Sequence, residues 1–421
     1  MAGRRVIVAG GGAAGFFAAI ACAEAMPGAE VIILERSSEF LGKVRISGGG
    51  RCNVTHACFD PRELATRFPR GEDSLIGPFH RFQPRQTVAW FVARGVELKV
   101  EDDGRMFPTT DSSETIINCL LSSARRTGVQ LRPNCGLDQA QARDGGGFLL
   151  ALSNGEQISC DRLLLATGGC RAASLGQLAT SLGHTLVPPV PSLFTFQIAC
   201  PWLRQLAGVT IETAEVSVPA ARLRERGPLL VTHWGLSGPA VLRLSAWGAR
   251  ALHGLSYQFP LRVNWLPGCD ETTLLGELNS RRSSLAARLV INAPIPPLPA
   301  RLWEQLVVDA GIERTTRWSA LSRAAQHKLI ERLMRSEFSV VGKSLNKDEF
   351  VTCGGVKLSE VNFKTMESRI CPGLYFAGEL LDIDGITGGF NFQSAWTTGW
   401  IAGNAIAESL GPGLDMRSSH G

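Results

Sequence analysis

The chain opens on two short apolar runs separated by a helix-like stretch. Val6 to Ala9 is apolar and β-branched, an alanine-rich stretch extends to Met26, and Glu30 to Leu34 is apolar again after the break at Pro27-Gly28. Short apolar runs bounded by turn residues are typical of buried strands, whereas a longer alanine-rich stretch is typical of a helix. The first 35 residues therefore predict a βαβ unit.

The pattern changes twice in the middle of the chain. From about Leu193 to Trp265, β-rich stretches alternate with turns; these stretches include Leu206 to Ile211, Ala214 to Val218 and Tyr257 to Val263. From about Asp270 to Arg335 the pattern is helical, with a proline-rich linker from Ala293 to Pro299. These changes predict a β-domain followed by a helical subdomain.

Composition and charge are those of an ordinary folded protein. Hydrophobic residues make up 44% and charged residues 19% of the 421 positions, which disfavours a disordered or fibrous chain. The formal net charge of +5 permits an anionic ligand without requiring nucleic acid, so no nucleic-acid partner is expected. No apolar run reaches the ~18 residues of a membrane span, and we expect no membrane association.

The cysteines indicate a reducing compartment. There are eleven, an odd number, and no C-x-x-C pair, which favours free thiols over a disulfide framework. The N-terminus resembles a secretory signal in its Arg4-Arg5 pair and its Ala23-Glu24-Ala25 sequence, but three consecutive glycines interrupt the apolar run. We therefore predict a cytoplasmic protein.

The turn after the first predicted strand has the pattern G-x-G-x-x-G at Gly10, Gly12 and Gly15. The first glycine permits a sharp turn, the second lets the backbone approach a pyrophosphate, and the third lets helix and strand pack closely. Glu35 closes the second strand about twenty residues later, where a carboxylate accepts hydrogen bonds from an adenosine ribose. The unit predicts dinucleotide binding, with a nucleotide-free α/β turn as the alternative.

A glycine-rich loop follows the βαβ unit. It runs from Gly42 to His56 and contains Lys43, Arg45 and Arg51 among its glycines. A long loop with cations placed just after the ribose carboxylate suits a ligand that extends far past its adenosine half. This feature favours FAD over NAD.

Several longer motifs allow a comparison with known proteins. They are the N-terminal glycine pattern, Ser47 to His56 (SGGGRCNVTH), Asp103 to Pro108, Ala166 to Gly169, Thr232 to Pro239 and Gly373 to Gln393. In these motifs, and in their order along nearly the whole chain, the sequence resembles the YhiN/BaiN-type flavoproteins, also called the aminoacetone oxidase family.

The resemblance implies an α/β fold. It consists of a Rossmann-like FAD domain of the two-dinucleotide-binding type, built from both chain ends, with an inserted β-domain and a small helical subdomain. We expect residues 1–191 to form the N-terminal part of the FAD domain, 192–268 the β-domain, and 269–336 the helical subdomain. Residues 337–421 would return to the edge of the insert and complete the FAD domain. The insert would lie over the exposed edge of the flavin ring and close a substrate cavity.

The C-terminal motif completes the expected cofactor site. By the resemblance, a late strand returns to the N-terminal sheet and presents Gly378 and Glu379 to the ribityl or pyrophosphate group, with Asp382 or Asp384 close behind. The helix that begins near Asn391 can aim free N–H groups at the flavin edge where negative charge accumulates on reduction. The complete set of predicted FAD-binding residues is Gly10, Gly12, Ala13, Ala14, Gly15, Glu35, Arg36, Lys43, Gly50, Arg51, Cys52, Asn53, Thr167, Gly168, Gly378, Glu379, Asp382, Gly389, Phe390 and Asn391.

Other conspicuous residues favour structural interpretations. Cys52, His56 and Cys58 lack an evident fourth ligand, so we predict no metal site. Ser237 precedes Pro239 and is interpreted as a helix N-cap rather than a nucleophile, whereas a nearby histidine, at position 233, is a candidate for substrate contact. Dispersed arginines with acidic neighbours are typical of a solvated surface, with an RNA-facing surface as the alternative. They are Arg62, Arg67, Arg70, Arg81 and Arg85.

These observations predict an FAD-dependent oxidoreductase that moves a hydride between a small organic substrate and flavin N5. The family name suggests an amine. Oxygen or NAD(P) would be the other redox partner, and NAD(P)H would dock transiently because no second G-x-G-x-x-G follows a strand. A flavin-dependent nucleic-acid-modifying enzyme and a flavin-binding protein without turnover remain as alternatives, and the sequence identifies no catalytic residue.

Overall fold

The computed structural model describes residues 4–170, 173–344 and 351–411, and within these ranges the chain forms twenty-one strands and fourteen α-helices. The strands are β1 (Arg5–Ala9), β2 (Glu30–Leu34), β3 (Thr55–His56), β4 (Leu98–Val100), β5 (Arg105–Pro108), β6 (Gln130–Arg132), β7 (Leu137–Ala142), β8 (Phe148–Leu152), β9 (Gln157–Cys160), β10 (Arg162–Leu165), β11 (Leu186–Ser192), β12 (Phe196–Ile198), β13 (Thr210–Val218), β14 (Leu223–Val231), β15 (Gly235–Ser237), β16 (Phe259–Asn264), β17 (Ser336–Lys343), β18 (Val351–Val356), β19 (Val361–Asn362), β20 (Glu367–Ser368) and β21 (Leu374–Phe376). The helices are α1 (Ala13–Ala25), α2 (Gly42–Gly50), α3 (Pro61–Ala65), α4 (Glu72–Arg81), α5 (Pro84–Val92), α6 (Ser113–Arg126), α7 (Ala173–Ser181), α8 (Pro201–Arg204), α9 (Pro239–Trp247), α10 (Ala249–Gly254), α11 (Glu271–Ser284), α12 (Ala300–Asp309), α13 (Arg323–Arg335) and α14 (Phe390–Leu410).

The chain divides into two compact units. Residues 1–191 and 347–421 form the first unit, and residues 192–346 form the second. All the residues predicted to bind the cofactor belong to the first unit. The finer division of the insert at residues 268 and 336 stays a prediction.

A seven-stranded sheet lies at the centre of the first unit, in the order β19-β20-β21-β10-β1-β2-β6. Strand β1 pairs in parallel with β2 and β10, and β10 pairs in parallel with β21 from the other end of the chain. Residues 6–9 are at most 1% exposed, as expected for a parallel strand covered on both faces. The predicted α/β fold, built from both chain ends, is therefore confirmed.

The two longest apolar helices of this unit pack against each other through small residues. A Cβ added at Gly399 of α14 would lie 2.4 Å from the Ala14 carbonyl oxygen, and one added at Gly403 would lie 2.2 Å from that of Ala18. Only glycine allows so close an approach of the two backbones. Helix α1 is thereby held between the sheet and α14.

The second unit is a closed six-stranded barrel in the order β12-β15-β14-β13-β16-β17. Helices α11 to α13 lie in the sequence between β16 and β17, and these two strands pair directly with each other. The helical segment is therefore an insertion between two strands of the barrel. The alternation of buried and exposed residues along β16 and β17 is the pattern of strands with one face on a core.

Two expectations for this unit are wrong in detail. The predicted strand from Leu206 begins only at Thr210, because Gly208 takes a left-handed conformation (φ +89°) that interrupts the extended chain. Ser237 does not cap α9; its hydroxyl is hydrogen-bonded to that of Thr195 at 2.8 Å, and Gly238 takes the N-cap position.

Over the described residues, the structure has no helix with both the length and the apolar character needed to cross a membrane.

Candidate functional site

The glycine pattern forms the turn between β1 and α1. Gly10 has φ +117°, and a Cβ placed there would lie 2.3 Å from the Ala166 carbonyl oxygen, at the end of β10. A Cβ on Gly15 would lie 2.0 Å from the carbonyl oxygen of Gly10. Neither position can carry a side chain without moving backbone, so two of the three glycines are required by the turn itself.

Gly12 differs from its two neighbours in the pattern. No atom lies within 4 Å of a Cβ built on it, and its φ of −94° is open to any residue. It is the N-cap of α1, and no side chain caps that helix end. The first backbone N–H groups of α1, which begins with Ala13 and Ala14, thus have no capping side chain, and the open space at Gly12 beside them suits a phosphate group.

The carboxylate of Glu35 lies at the same turn. Its Oε2 accepts a hydrogen bond from the Gly11 N–H at 2.9 Å, and its Oε1 accepts from the N–H and hydroxyl of Ser37, both at 2.8 Å. A carboxylate has about four acceptor sites, so one remains for a ribose hydroxyl. The Arg36 side chain contacts β7 instead, where its Nη2 lies 2.6 Å from Asp138 Oδ1.

The predicted glycine loop is partly helical. Residues from Gly42 form α2, which kinks at Ser47, and Gly48, Gly49 and Gly50 then take left-handed conformations with φ of 57°, 68° and 83°. Glycine alone tolerates three such residues in succession, which explains the sequence GGG. A Cβ on Gly49 or Gly50 would meet nothing within 4 Å, so this stretch leaves room for a ligand.

Arg51 and Cys52 follow the three glycines. The Arg51 side chain contacts other side chains, and the Cys52 side chain lies in the protein interior. The guanidinium of Arg51 lies 2.6 Å from Glu101 Oε1 and stacks over the ring of Phe107 at 4.0 Å. Cys52 is fully buried, and burial raises the pKa of its thiol to about 12. The Cys52 sulfur is therefore a neutral thiol at physiological pH.

Asn53 joins this segment to the start of the C-terminal helix. In the amide orientation that satisfies both groups, its Oδ1 accepts from the Gly389 N–H at 3.0 Å and its Nδ2 donates to the Thr55 carbonyl at 3.1 Å. Gly389, with φ +88°, is the N-cap of the 21-residue helix α14, and no side chain caps that end. Asn391 instead closes the preceding loop through two hydrogen bonds to the backbone of Gly385.

A buried polar network supports the same junction. Gln393 Oε1 accepts hydrogen bonds from the hydroxyls of Thr55 at 2.6 Å and Thr87 at 2.9 Å, and its Nε2 donates to Thr397 at 3.0 Å. All four side chains are fully buried. A buried network with its partners satisfied fixes one arrangement of the elements it joins.

Lys43 and Glu379, which are 336 positions apart, form an ion pair. The other oxygen of Glu379 accepts from the Thr352 N–H at 2.8 Å. Next to it, the Gly378 N–H donates to the Thr398 hydroxyl at 2.9 Å, and a Cβ on Gly378 would lie 2.9 Å from that of Ala14. The structure thus brings the glycine loop, the start of α1 and the C-terminal motif to one place.

Two buried hydroxyls near these residues lack a hydrogen-bond partner among the described residues. They are the Oγ1 atoms of Thr167 and Thr352. Gly168, beside Thr167, has open space at its Cβ position, whereas a Cβ on Gly169 would lie 2.3 Å from the Thr352 hydroxyl. An unpaired buried hydroxyl costs about 1–3 kcal/mol, so a polar ligand that supplies the missing partners would be stabilised here.

Together these features fit FAD. The uncapped helix ends, the open Gly12 and Gly49-Gly50 positions and the unpaired hydroxyls offer donors and space suited to a diphosphate and a polyol. Asp382, which follows Glu379, is held by a hydrogen bond from its N–H to the Val356 carbonyl at 3.1 Å. The assignment of individual residues to parts of the cofactor stays a prediction.

The sequence does not reveal two further contacts of the C-terminal motif. The Arg70 Nε lies 2.5 Å from Asp384 Oδ1, and the Asp384 side chain is fully buried. The ring of His56 stacks on Phe390 with centroids 4.7 Å apart, and burial lowers the pKa of His56. The Ile383-Asp384-Gly385 sequence indicates only that Asp384 needs a partner, since a carboxylate in an apolar run needs one when buried. It does not indicate which residue that partner is.

Within the described ranges, no group of three or more His, Cys, Asp or Glu side chains is arranged to hold a metal ion.

The family model described as HI0933-like protein Rossmann domain matches residues 4–405. A ribosomal RNA dihydrouridine synthase from Escherichia coli strain K12 is 31% identical over 94% of this chain and 96% of its own length. A 3-dehydro-bile acid delta(4,6)-reductase from Clostridium scindens is 29% identical over 96% of this chain and 99% of its own length.

A solved structure has a similar fold. It is a 3-ketosteroid-delta4-(5alpha)-dehydrogenase from Rhodococcus jostii RHA1 in complex with 4-androstene-3,17-dione, with a TM-score of 0.51 and 16% identity. The match covers 96% of this chain and 97% of that chain.

Proposed function

The chain belongs to the HI0933-like family of Rossmann-domain proteins and is an FAD-dependent oxidoreductase; from this premise we propose that it reduces a carbon–carbon double bond of uracil in ribosomal RNA. The sequence-based predictions of the family, of FAD as cofactor and of the enzyme class are confirmed. The substrate and the reductant belong to the proposal.

The reaction class is supported by what the two curated relatives have in common. Making dihydrouridine saturates the C5–C6 double bond of uracil, which is conjugated to the C4 carbonyl. A delta(4,6)-reductase acting on a 3-dehydro bile acid likewise acts on double bonds that can be conjugated to a carbonyl. In both reactions a hydride and a proton add across an activated double bond, and we propose NAD(P)H as the source of the hydride.

The choice of RNA rests on one observation, the 31% identity to the ribosomal RNA enzyme over nearly both full lengths. Composition alone does not favour nucleic acid, because the net charge is only +5. A steroid-like enone is the second candidate, favoured by the relative that is 29% identical over an equally large share of the chain.

The first unit would hold the cofactor through its own backbone and side chains. The N-terminus of α1 and Gly12 would bind the pyrophosphate, Glu35 a ribose hydroxyl, and Lys43 with Glu379 the central part. When bound, FAD would supply a hydride acceptor and donor at N5 of its ring. The uncapped N-terminus of α14 carries roughly half a positive charge and would stabilise negative charge on the adjacent ring edge.

The proposal is tested by an anaerobic reaction of the FAD-loaded protein with NADPH or NADH and an unmodified ribosomal RNA transcript. We expect bleaching of the flavin absorbance by one of the two reductants and dihydrouridine in the RNA after nuclease digestion and mass spectrometry. A parallel reaction contains 3-oxo-4-ene steroids in place of RNA and follows the loss of enone absorbance. If the RNA contains no dihydrouridine while the steroid is reduced, the steroid-like enone replaces RNA as the proposed substrate.

The matched control for the cofactor is the Gly12→Ala protein in the same reactions. Gly12 has open space at its Cβ position, so this variant should fold. We expect it to form neither product, because the added methyl group would occupy the space of the pyrophosphate. Product formation by this variant at the unsubstituted rate would contradict the proposed FAD site.

A further inference from the structure

The outer face of the barrel has a cleft rich in arginine. Its volume is about 450 Å³, and four of its ten lining residues are arginines, against one glutamate, Glu215. We call it the arginine cleft and define it by Arg222, Arg224, Arg262 and Arg335. All four arginines are exposed.

Strand register places two of these arginines on either side of one serine. Ser217 of β13 lies opposite Arg224 of β14 and also opposite Arg262 of β16. Neighbouring strands lie about 4.8 Å apart, so the two arginines start from backbone positions roughly 10 Å apart across three strands. Their side chains can therefore reach separate anionic groups of one ligand.

The period of the strands fixes the outward direction of these side chains. Val216 and Val218 on β13 are buried and Ser217 between them is not; on β16, Leu261 and Val263 are buried and Arg262 between them is exposed. A shift of one residue would bury an arginine in the barrel core, so the register is strongly specified.

The ion pairs of the cleft are weak enough to be replaced. Arg224 lies 3.5 Å from Glu215 with its side chain 73% exposed, and Arg262 lies 3.2 Å from Glu337 with its side chain 55% exposed. Arg335 pairs with a glutamate of α11 at 3.1 Å and is 65% exposed, and Arg222 has no ion pair within the described part of the chain. Exposed pairs of this kind contribute little to stability, so a phosphate can compete for the guanidinium groups.

We propose that the arginine cleft binds the phosphodiester backbone of the RNA substrate. This inference rests on the proposed function, since it takes ribosomal RNA as the partner. Arginine presents a fork of N–H donors that matches two phosphate oxygens, and separate arginines can hold successive phosphates. None of the described residues that line the cleft is aromatic, so the cleft lacks stacking platforms for bases and suits the backbone of the RNA.

The test compares RNA affinity among three FAD-loaded proteins at several salt concentrations. The cleft variant carries Arg222→Ala, Arg224→Ala and Arg262→Ala. The control variant carries Arg301→Ala, Arg314→Ala and Arg323→Ala, which removes the same charge from exposed positions of the same unit outside the cleft. The probe is the unmodified ribosomal RNA transcript with a fluorescent label, titrated from about 50 to about 200 mM salt.

We expect the cleft variant to bind RNA at least about tenfold more weakly. The slope of log affinity against log salt should fall by about 2, since each lost phosphate contact on single-stranded RNA removes about 0.7. The control variant should keep the affinity and slope of the unsubstituted protein. Equal affinities for all three proteins would overturn the proposal, and so would an equal loss in both variants, because that result reports net charge alone.

Two further readouts separate this proposal from the proposed function. Flavin content and bleaching by NAD(P)H should be unchanged in the cleft variant, and its dihydrouridine formation should show a higher KM with the same kcat. If the unsubstituted protein forms no dihydrouridine, the proposed function fails, while the binding comparison still decides the cleft. Displacement of RNA by poly-glutamate at equal charge concentration would overturn the RNA assignment in favour of an acidic protein partner.

Discussion

At the scale of single residues, the three glycines of the first turn have different roles. Gly10 and Gly15 lack side chains because backbone carbonyls lie within 2.3 Å of their Cβ positions. Gly12 is free of that constraint. The sequence pattern assigns different roles to the three glycines, and the geometry adds which of them have no room for a side chain.

Gly12→Ala should separate cofactor binding from folding. We expect the melting temperature of the protein stripped of FAD to stay unchanged, because the φ of −94° suits alanine. FAD affinity should fall at least about tenfold, or ~1.4 kcal/mol, measured by flavin fluorescence titration.

Gly28→Ala is the matched control for Gly12→Ala. Gly28 has φ +97° and open space around its Cβ, so the variant should lose some stability through backbone strain and bind FAD normally. If Gly12→Ala and unsubstituted protein bound FAD equally well, the assignment of Gly12 to the pyrophosphate would be wrong.

Cys52 should be chemically inert despite its place in the glycine motif. Burial raises its thiol pKa to about 12, so the thiolate fraction stays negligible as the pH rises from 7 to 9. We expect no alkylation of Cys52 by iodoacetamide in the native protein, measured by peptide mass spectrometry, and full alkylation after unfolding. The partly exposed Cys269 is the internal control, and labelling of Cys52 as fast as Cys269 would contradict the buried position.

At the scale of elements, the loop before α14 is held by a residue that lies far away in the sequence. Arg70 follows α3, and its partner Asp384 lies 314 positions later, with the carboxylate fully buried. Local sequence cannot predict such a pairing, because nothing near either residue indicates the other. The β1-α1-β2 unit, in contrast, is predicted to within one residue at the start of β1 and at the end of α1, since its periodicity and turn residues are local.

Arg70→Met should destabilise the first unit by about 3–5 kcal/mol, because it leaves the carboxylate of Asp384 buried without its cation. The measurement is the free energy of unfolding in urea, with flavin content recorded alongside. The matched control is Arg67→Met, which breaks the exposed pair with Glu63 and should cost about 0–1 kcal/mol. Equal effects of the two substitutions would show that burial of the Arg70 pair has no energetic consequence.

In the glycine loop, the sequence pattern does not predict the secondary structure that is observed. Glycine runs predict irregular chain, yet Gly42 to Gly50 includes helical turns before three left-handed residues. This segment is held by contacts with distant residues: Val44 is buried in the core, and the Arg45 carbonyl accepts a hydrogen bond from the Ser113 hydroxyl at 2.8 Å. Such non-local contacts can outweigh intrinsic propensity, which is small for each residue.

At the scale of the whole molecule, all twenty residues predicted to bind FAD lie in the first unit. The resemblance to the YhiN/BaiN-type flavoproteins predicted that both ends of the chain build that unit. The β-rich stretches that alternate with turns predicted a β-rich insert, but not that six strands close a barrel, since closure depends on the pairing of β12 with β17 across about 140 positions.

Replacing residues 193–344 by a glycine-serine linker should leave FAD binding intact. We expect a yellow monomeric protein with close to one flavin per chain, measured by its absorbance ratio, and no RNA binding above that of an unrelated protein. The full-length chain with the Arg222, Arg224 and Arg262 substitutions is the control for the RNA result. A colourless truncated protein that still shows the circular dichroism of a folded α/β domain would contradict the assignment of the cofactor to the first unit.

The pairing of β10 with β21 has a consequence for how the protein is made. The strand that pairs with β10 and the helix that packs on α1 both lie after residue 373. During translation the face of α1 that contacts α14, which includes Ala14 and Ala18, stays uncovered while more than three hundred residues are added. The nascent chain therefore depends on shielding of this apolar face from aggregation until the residues beyond 373 have left the ribosome.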